Sequence, residues 1–179
     1  MSELASTQPT SPDSFDERFG IRLYKEYFNF GSAHFLIFAD SSREELHGHN
    51  YRATLEIDAS LDDAWLVADF LIVKPIFRGV CDSLDHRTLL PLRNPHLKIE
   101  QSDRETTVYY KDDRYVLPNR DVCLLDIENT ASELLAKWIC EKFLEQLSSQ
   151  MPALKPQRVL VSVQESRGQS AIYERRWQR

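Results

Sequence analysis

Apolar and polar residues alternate from His47 to Asp58: His47, His49, Tyr51, Ala53, Leu55 and Ile57 share one parity, and Arg52, Thr54, Glu56 and Asp58 share the other. A period of two predicts a strand with one buried face, and both histidines lie on the apolar side. Upstream, residues 21–38 are aromatic and β-prone, with Tyr24, Phe28, Phe30, Ser32 and His34 on one parity of an imperfect alternation. The polar run 39–46 between the two segments predicts a loop, and the pair predicts antiparallel neighbours. Residues 158–165 repeat the alternation, with Val159, Val161, Val163 and Glu165 on one face, and a further strand is expected over 171–175.

The period then changes. Phe70, Val73, Phe77, Val80 and Leu84 step by three and four, which predicts a helix over 69–85. Pro75 suits a first turn, so regular helix is expected from about Val73. Leu135, Ile139, Phe143 and Leu147 form a second helical stripe, and Thr130 with Glu133 reads as a T-x-x-E capping box ahead of it. Between the helices, residues 92–122 read as an insertion of short β-like runs with a turn at Lys111–Asp113, a small hairpin or meander. Residues 1–18 are polar and aperiodic and read as a loose tail before one domain over 19–179. The order β-β-α-(hairpin)-α-β is that of an α+β fold with a mostly antiparallel sheet.

Composition narrows the function. The chain has 179 residues, 42% hydrophobic and 28% charged, with a net charge of −6. That balance supports a packed core and disfavours a phosphate-backbone partner, so no nucleic acid is expected. No apolar run is long enough to span a membrane, and no secretory leader is recognisable. Cys81, Cys123 and Cys140 are odd in number and widely spaced, which argues for a reducing, cytoplasmic setting and buried thiols.

Chemistry concentrates at four places. His47 and His49 are i, i+2 on one strand face, with roots about 6–7 Å apart, and His34 comes from the neighbouring strand. Three neutral imidazoles make a zinc set with an open fourth position; the plainer alternative is three hydrogen-bonded histidines on an apolar face. Glu165 ends an apolar face and needs a donor, either an internal arginine or a ligand with paired N–H groups such as a pterin or guanine edge. Asp85 and His86 can form an acid–base pair, or His86 can simply complement the end of the first helix. Glu44 and Glu45 precede His47; a carboxylate there can reach the open metal position as a general base, or belong to a solvated loop.

Taken together, Phe30-Gly-Ser-Ala-His34, Leu46-His-Gly-His-Asn-Tyr51, Val67-Ala-Asp-Phe70, Leu84-Asp-His86, Asn129-Thr-Ala and Val163-Gln-Glu165 resemble the 6-pyruvoyl-tetrahydropterin synthase / 6-carboxytetrahydropterin synthase family. The resemblance implies the tunnelling fold, a four-stranded antiparallel sheet with two helices on one face. Subunits of that fold join sheet edge to sheet edge into homo-oligomeric barrels with active sites at subunit boundaries. It also implies that His34, His47 and His49 bind Zn2+, that Glu165 anchors the pterin ring, that Asp85 and His86 move protons, and that Thr130 lies against the pterin.

The chain departs from the family pattern in two ways. The usual catalytic cysteine, four residues before the first histidine of H-G-H, is Arg43 here. Glu44-Glu45-Leu46-His47 instead matches the E-x-x-H-G-H variant, which resembles lyases of folate synthesis that convert 7,8-dihydroneopterin triphosphate to 6-hydroxymethyl-7,8-dihydropterin. At the second helix, N-T-A-S-E replaces the usual P-T-x-E-N. On this resemblance Glu44 is the expected base and Arg43 a contact for the substrate triphosphate. Two other readings stand beside it: a 6-carboxytetrahydropterin synthase of queuosine synthesis or a 6-pyruvoyl-tetrahydropterin synthase, and a non-catalytic zinc protein whose fourth ligand is Glu44.

Overall fold

The computed structural model describes residues 17–178. The reading of residues 1–16 as a tail lies outside the described residues. Thirteen elements follow in order: β1 (Gly20–Leu23), β2 (Asn29–His34), β3 (His47–Asp58), α1 (Phe70–Leu84), β4 (Arg87–Pro91), β5 (Lys98–Gln101), β6 (Glu105–Tyr110), β7 (Asp113–Pro118), a single 3-10 turn (Asn119–Asp121), β8 (Val122–Leu125), α2 (Ser132–Gln150), β9 (Arg158–Ser166) and β10 (Gln169–Arg176).

β3 is the axis of the main sheet. Its outer half pairs antiparallel with β2, from Asn29↔Arg52 to His34↔His47, and its other half pairs with β1. On its other side runs β9, followed by β10, both antiparallel. These strands make the expected antiparallel unit. The face carrying Tyr51, Ala53, Leu55, Ile57, Val159, Val161 and Val163 packs in one core with Val73, Phe77 and Leu84 of α1 and Leu135, Ile139, Phe143 and Leu147 of α2. Both helices therefore cover one side, and the predicted stripes are the buried ones except at Phe70, which is exposed at the start of α1. The fold is α+β, as expected.

Four local expectations need correction. The first strand is broken: Leu23 points inward from β1, whereas Phe28 and Phe30 point inward on the opposite parity. The turn at residues 24–28 resets the face, and Tyr24 is left exposed. α1 starts earlier than Val73. Asp69 caps it through a 2.7 Å bond from the Leu71 amide, and Pro75 lies inside the helix. The cap fixes the first turn, so one missing amide further on is tolerated.

The third correction concerns Thr130 and Glu133. The residue flanking α2 is Ala131, with no side-chain cap, and the buried Thr130 hydroxyl donates to the Phe35 carbonyl at 2.9 Å. Thr130 stands one position too early to cap the helix and spends its proton on the end of the first hairpin. The fourth concerns residues 92–122. β4 joins β2 in parallel and β8 joins β4 in parallel, extending the sheet to the order β10-β9-β3-β2-β4-β8. Parallel neighbours need a crossover, and residues 92–121 supply it. Within it, β5, β6 and β7 form a three-stranded antiparallel meander over a second small core of Phe35, Ile37, Leu90, Val108 and Tyr110.

Candidate active site

The register His34↔His47 places two imidazoles side by side, and His49 follows on the same face of β3. The ring centroids of His34, His47 and His49 are 4.7–5.3 Å apart. Gly48 between them lets the strands approach closely: a Cβ there would lie 3.1 Å from the Ser32 carbonyl oxygen on β2, a tight contact. β9 supplies a fourth group. One ligand atom from each of His34, His47, His49 and Glu165 lies within 4.8 Å of the others.

The nitrogens are oriented. His34 Nδ1 donates to the Thr130 carbonyl at 3.1 Å, and His47 Nδ1 donates to the Glu45 carbonyl at 2.8 Å. Backbone acceptors at Nδ1 set the tautomer that leaves Nε2 as a lone pair. Tyr51 Oη donates to His34 Nε2 at 3.0 Å, and burial first, then the Glu165 charge, pushes that phenol far above its usual range, so it stays a donor. His49 Nε2 is buried and lacks a hydrogen-bond partner, although Glu165 Oε1 is 2.8 Å away. Their separation is that of an ion pair, but the angle is not that of a hydrogen bond. A buried nitrogen facing a carboxylate with no hydrogen bond between them suits two groups that share a cation. Burial, then the neighbouring His47, lowers the pKa of His34 and keeps its ring neutral, as ligation requires. The residues fit a divalent ion.

Glu165 is the one predicted ring anchor found on the cluster itself. Its Oε1 faces His49, and its Oε2 accepts from Ser132 Oγ at 2.8 Å. A cavity of about 450 Å³ opens beside it, walled by the start of α2 (Ala131, Ser132, Glu133) and by Gly168–Ala171. Ser132 was not anticipated; its place in the first turn of α2, next to the Asn-Thr-Ala run, was the available signal. Thr130 lies under the cluster, fully buried, and meets His34 only through its carbonyl.

Of the two loop glutamates, Glu44 turns toward the cluster: its Oε2 is 3.9 Å from His47 Nε2 and accepts from the Leu36 amide at 3.3 Å. Glu45 is exposed and contributes its carbonyl to His47. Arg43 is turned away, into the meander, where it pairs with Asp113 at 3.0 Å.

Asp85 and His86 form their pair at a different place. His86 Nδ1 is 2.9 Å from Asp85 Oδ2, and His86 adopts a left-handed backbone, φ 56°, that lets adjacent side chains meet. Asp85 Oδ1 accepts from the Gly31 amide at 2.7 Å. Burial works to raise the Asp85 carboxyl, but the Gly31 N–H and the His86 ring outweigh it and hold it below the usual range. His86 borders a second cavity of about 400 Å³ with Gly31, Ala33, His49, Asn50, Arg87 and Thr88. Gly31, Ala33 and Asn50 have the parity opposite to the three histidines, so the pair sits across the sheet from the cluster. The His86 side chain is 90% exposed there.

The three cysteines are free, and burial pushes the Cys81 and Cys140 thiols up to about 12. Both are core residues of the helices rather than nucleophiles.

Residues 22–176 match the family model of 6-pyruvoyl tetrahydropterin synthase. The chain belongs to that family. Curated relatives include a Methanocaldococcus jannaschii protein named "Putative 6-carboxy-5,6,7,8-tetrahydropterin synthase", 31% identical over 82% of this chain and 89% of its own length. Among solved structures, the Plasmodium vivax 6-pyruvoyl tetrahydropterin synthase superposes with a TM-score of 0.82 at 29% identity, covering 90% of this chain and all of that one. Two further structures of that enzyme, 28% identical, carry alanine or cysteine in place of a glutamate described as a catalytic residue. The resemblance seen in the motifs is thus a family membership, and the relatives are pterin synthases. No helix among the described residues is long and apolar enough to cross a membrane.

Proposed function

We propose that this member of the family is a zinc-dependent lyase that cleaves the side chain of 7,8-dihydroneopterin triphosphate to 6-hydroxymethyl-7,8-dihydropterin, with Glu44 as the base. The observation that carries the reading is the Glu44 carboxylate turned to the histidine cluster, 3.9 Å from His47, in a loop whose usual cysteine position is Arg43 and which carries no thiol. A catalytic glutamate in the 28%-identical Plasmodium vivax enzyme supports it.

His34, His47 and His49 hold the ion, and three imidazoles with an accessible further position suit Zn2+. Bound there, the ion supplies Lewis acidity that makes the side-chain hydroxyls easier to deprotonate. The protein's own groups do the rest. Glu165 leaves His49 to accept two N–H bonds from the pterin edge, with Ser132 holding its other oxygen, and this sets the side chain over the cluster. Glu44 takes the C2′ hydroxyl proton. The C1′–C2′ bond breaks, its electron pair enters the C6=N5 unit of the dihydropterin, and C2′ leaves as an aldehyde still carrying the triphosphate. A proton delivered to C1′ completes the hydroxymethyl product.

The Asp85–His86 pair supplies that proton from a neighbouring copy. Within one chain the pair lies across the sheet from the cluster, and an assembly with sites at subunit boundaries brings the two together. The enzyme works in the cytoplasm as a homo-oligomer, without nucleic acid or membrane.

A second reading, a 6-carboxytetrahydropterin synthase, is favoured by the name of the 31%-identical relative. Incubation with 7,8-dihydroneopterin triphosphate and analysis of the products separates the readings. Hydroxymethyl-dihydropterin is expected; carboxytetrahydropterin or pyruvoyl-tetrahydropterin would replace the proposal with a synthase, and absence of turnover by zinc-loaded protein would leave a metal-binding protein without activity.

A further inference from the structure

Arg43 stands next to the proposed base yet has its guanidinium in the meander. The carbon Cζ lies 5.4 Å from the Phe35 ring centroid, 5.5 Å from that of Tyr110 and 5.3 Å from that of Tyr115. The side chain is only 14% exposed. Nη2 pairs with Asp113, at the start of β7, and Nη1 donates to the carbonyl of Glu44 at 2.6 Å. Nε has no hydrogen-bond acceptor; ring faces surround the group, as a weakly hydrated planar cation allows.

Glu44 is tied at three points, one of them by Arg43. Its amide donates to the Leu36 carbonyl at 2.9 Å, its carboxylate accepts from the Leu36 amide, and its carbonyl accepts from Arg43. The loop behind it is held from the same direction, because Tyr110 Oη donates to the Ser41 carbonyl. Tyr110 belongs to β6, and Arg43 itself is held to β7 through Asp113.

We infer that the β5–β7 meander positions the Glu44 carboxylate against the histidine cluster, with Arg43 as the positioning residue. The inference rests on the reading of Glu44 as the base and gives both the meander and the arginine a role in the reaction. Arg43 touches neither substrate nor metal. Its two outer nitrogens are committed to groups of the chain, which leaves no paired donors for a triphosphate. Its effect is on where a carboxylate sits, and a displacement of about 1 Å at a reacting group can cost about 100-fold in rate.

The test is a double-mutant cycle on zinc-loaded protein with 7,8-dihydroneopterin triphosphate. Arg43→Met is expected to lower kcat about 30-fold with KM changed by less than about threefold. Arg43→Lys, which keeps the charge over the rings and loses the fork, is expected to recover part of that loss. In a Glu44→Gln background, Arg43→Met should reduce the residual turnover by less than about threefold, since a positioning residue has nothing left to position. If Arg43→Met does not fold, Asp113→Asn carries the test, with a smaller kcat loss that again vanishes in Glu44→Gln.

A rise in KM at unchanged kcat would make Arg43 a substrate contact and overturn the inference. An undiminished loss in the Glu44→Gln background would also overturn it, and would leave the base assignment standing. Wild-type turnover by Glu44→Gln alone would remove the base assignment itself, and the inference with it.

Discussion

The two groups of titratable residues in this chain are built on opposite terms. The cluster takes its three histidines from β2 and β3 and Glu165 from β9, and main-chain carbonyls of Thr130 and Glu45 orient His34 and His47. The Asp85–His86 pair comes from two consecutive residues at the end of one helix, and its imidazole projects into solvent. Carbonyl-oriented imidazoles are prepared for an ion, because their tautomers are chosen before it arrives. An exposed imidazole held by one carboxylate is prepared for proton exchange, because nothing fixes its other nitrogen. The lesson is that one face of the sheet holds converging groups whose rings are oriented, and the other holds a pair whose imidazole is left open to solvent.

The sharpest way to break this contrast is to remove a ligand. His49→Ala is expected to lose stoichiometric zinc, measured by metal analysis, and to lower turnover by about 10³-fold or more, the scale of a Lewis acid worth several kcal/mol. Retained zinc and activity would mean that the cluster is not the metal centre. His86→Ala is expected to lower turnover by about 10²-fold, the usual size of an acid–base contribution, while zinc content stays at the wild-type level. Co-assembling His86→Ala with Glu44→Gln chains then tests the division across copies: two nearly inactive variants should regain activity when mixed, and failure to regain it would place both groups in one copy.

Smaller changes sharpen the comparison. Thr130→Val removes the hydroxyl that fixes the carbonyl under His34 and is expected to weaken zinc about 10–100-fold in a chelator competition. The same experiment on Asp85→Asn should show no change. Ser132→Ala frees one oxygen of Glu165 and is expected to raise KM for the pterin about fivefold, the effect of one net hydrogen bond of about 1 kcal/mol, with kcat nearly unaffected.

Much of this molecule can be read from its residues, and the reason is periodicity. β3 and β9 carry a clean period of two, and α2 carries an i, i+4 stripe, so their faces follow from the sequence. The histidine trio follows from the same alternation, because H-x-H on one parity can converge only on that face. Tyr24 misled because a turn of five residues reversed the parity without interrupting the aromatic character. β4 and β8 are four or five residues long and pair in parallel, a combination with no alternation to detect. Thr130 and Glu133 have the spacing of a capping box whether or not the hydroxyl turns to the helix, and only the nearness of Phe35 decides. Glu165 beside His49 could have been approached through register: continuing Arg52↔Gln164 by one residue brings Glu165 next to Tyr51. For Arg43 no such route existed, since its three rings come from segments 8 to 72 positions away.

One topological detail constrains how such a protein can change. Because Thr88 faces Val122 and Pro91 faces Leu125 with both strands running the same way, the chain must travel back along the full length of β4 before β8 can start. Residues 92–121 are that return path. A shortened relative that lacked the meander would need a linker long enough to make the same journey, or it would forfeit β8 and leave β4 as the sheet's border. Trimming at the Lys111–Asp112 tip is therefore compatible with the architecture, whereas clean excision of the whole segment is not.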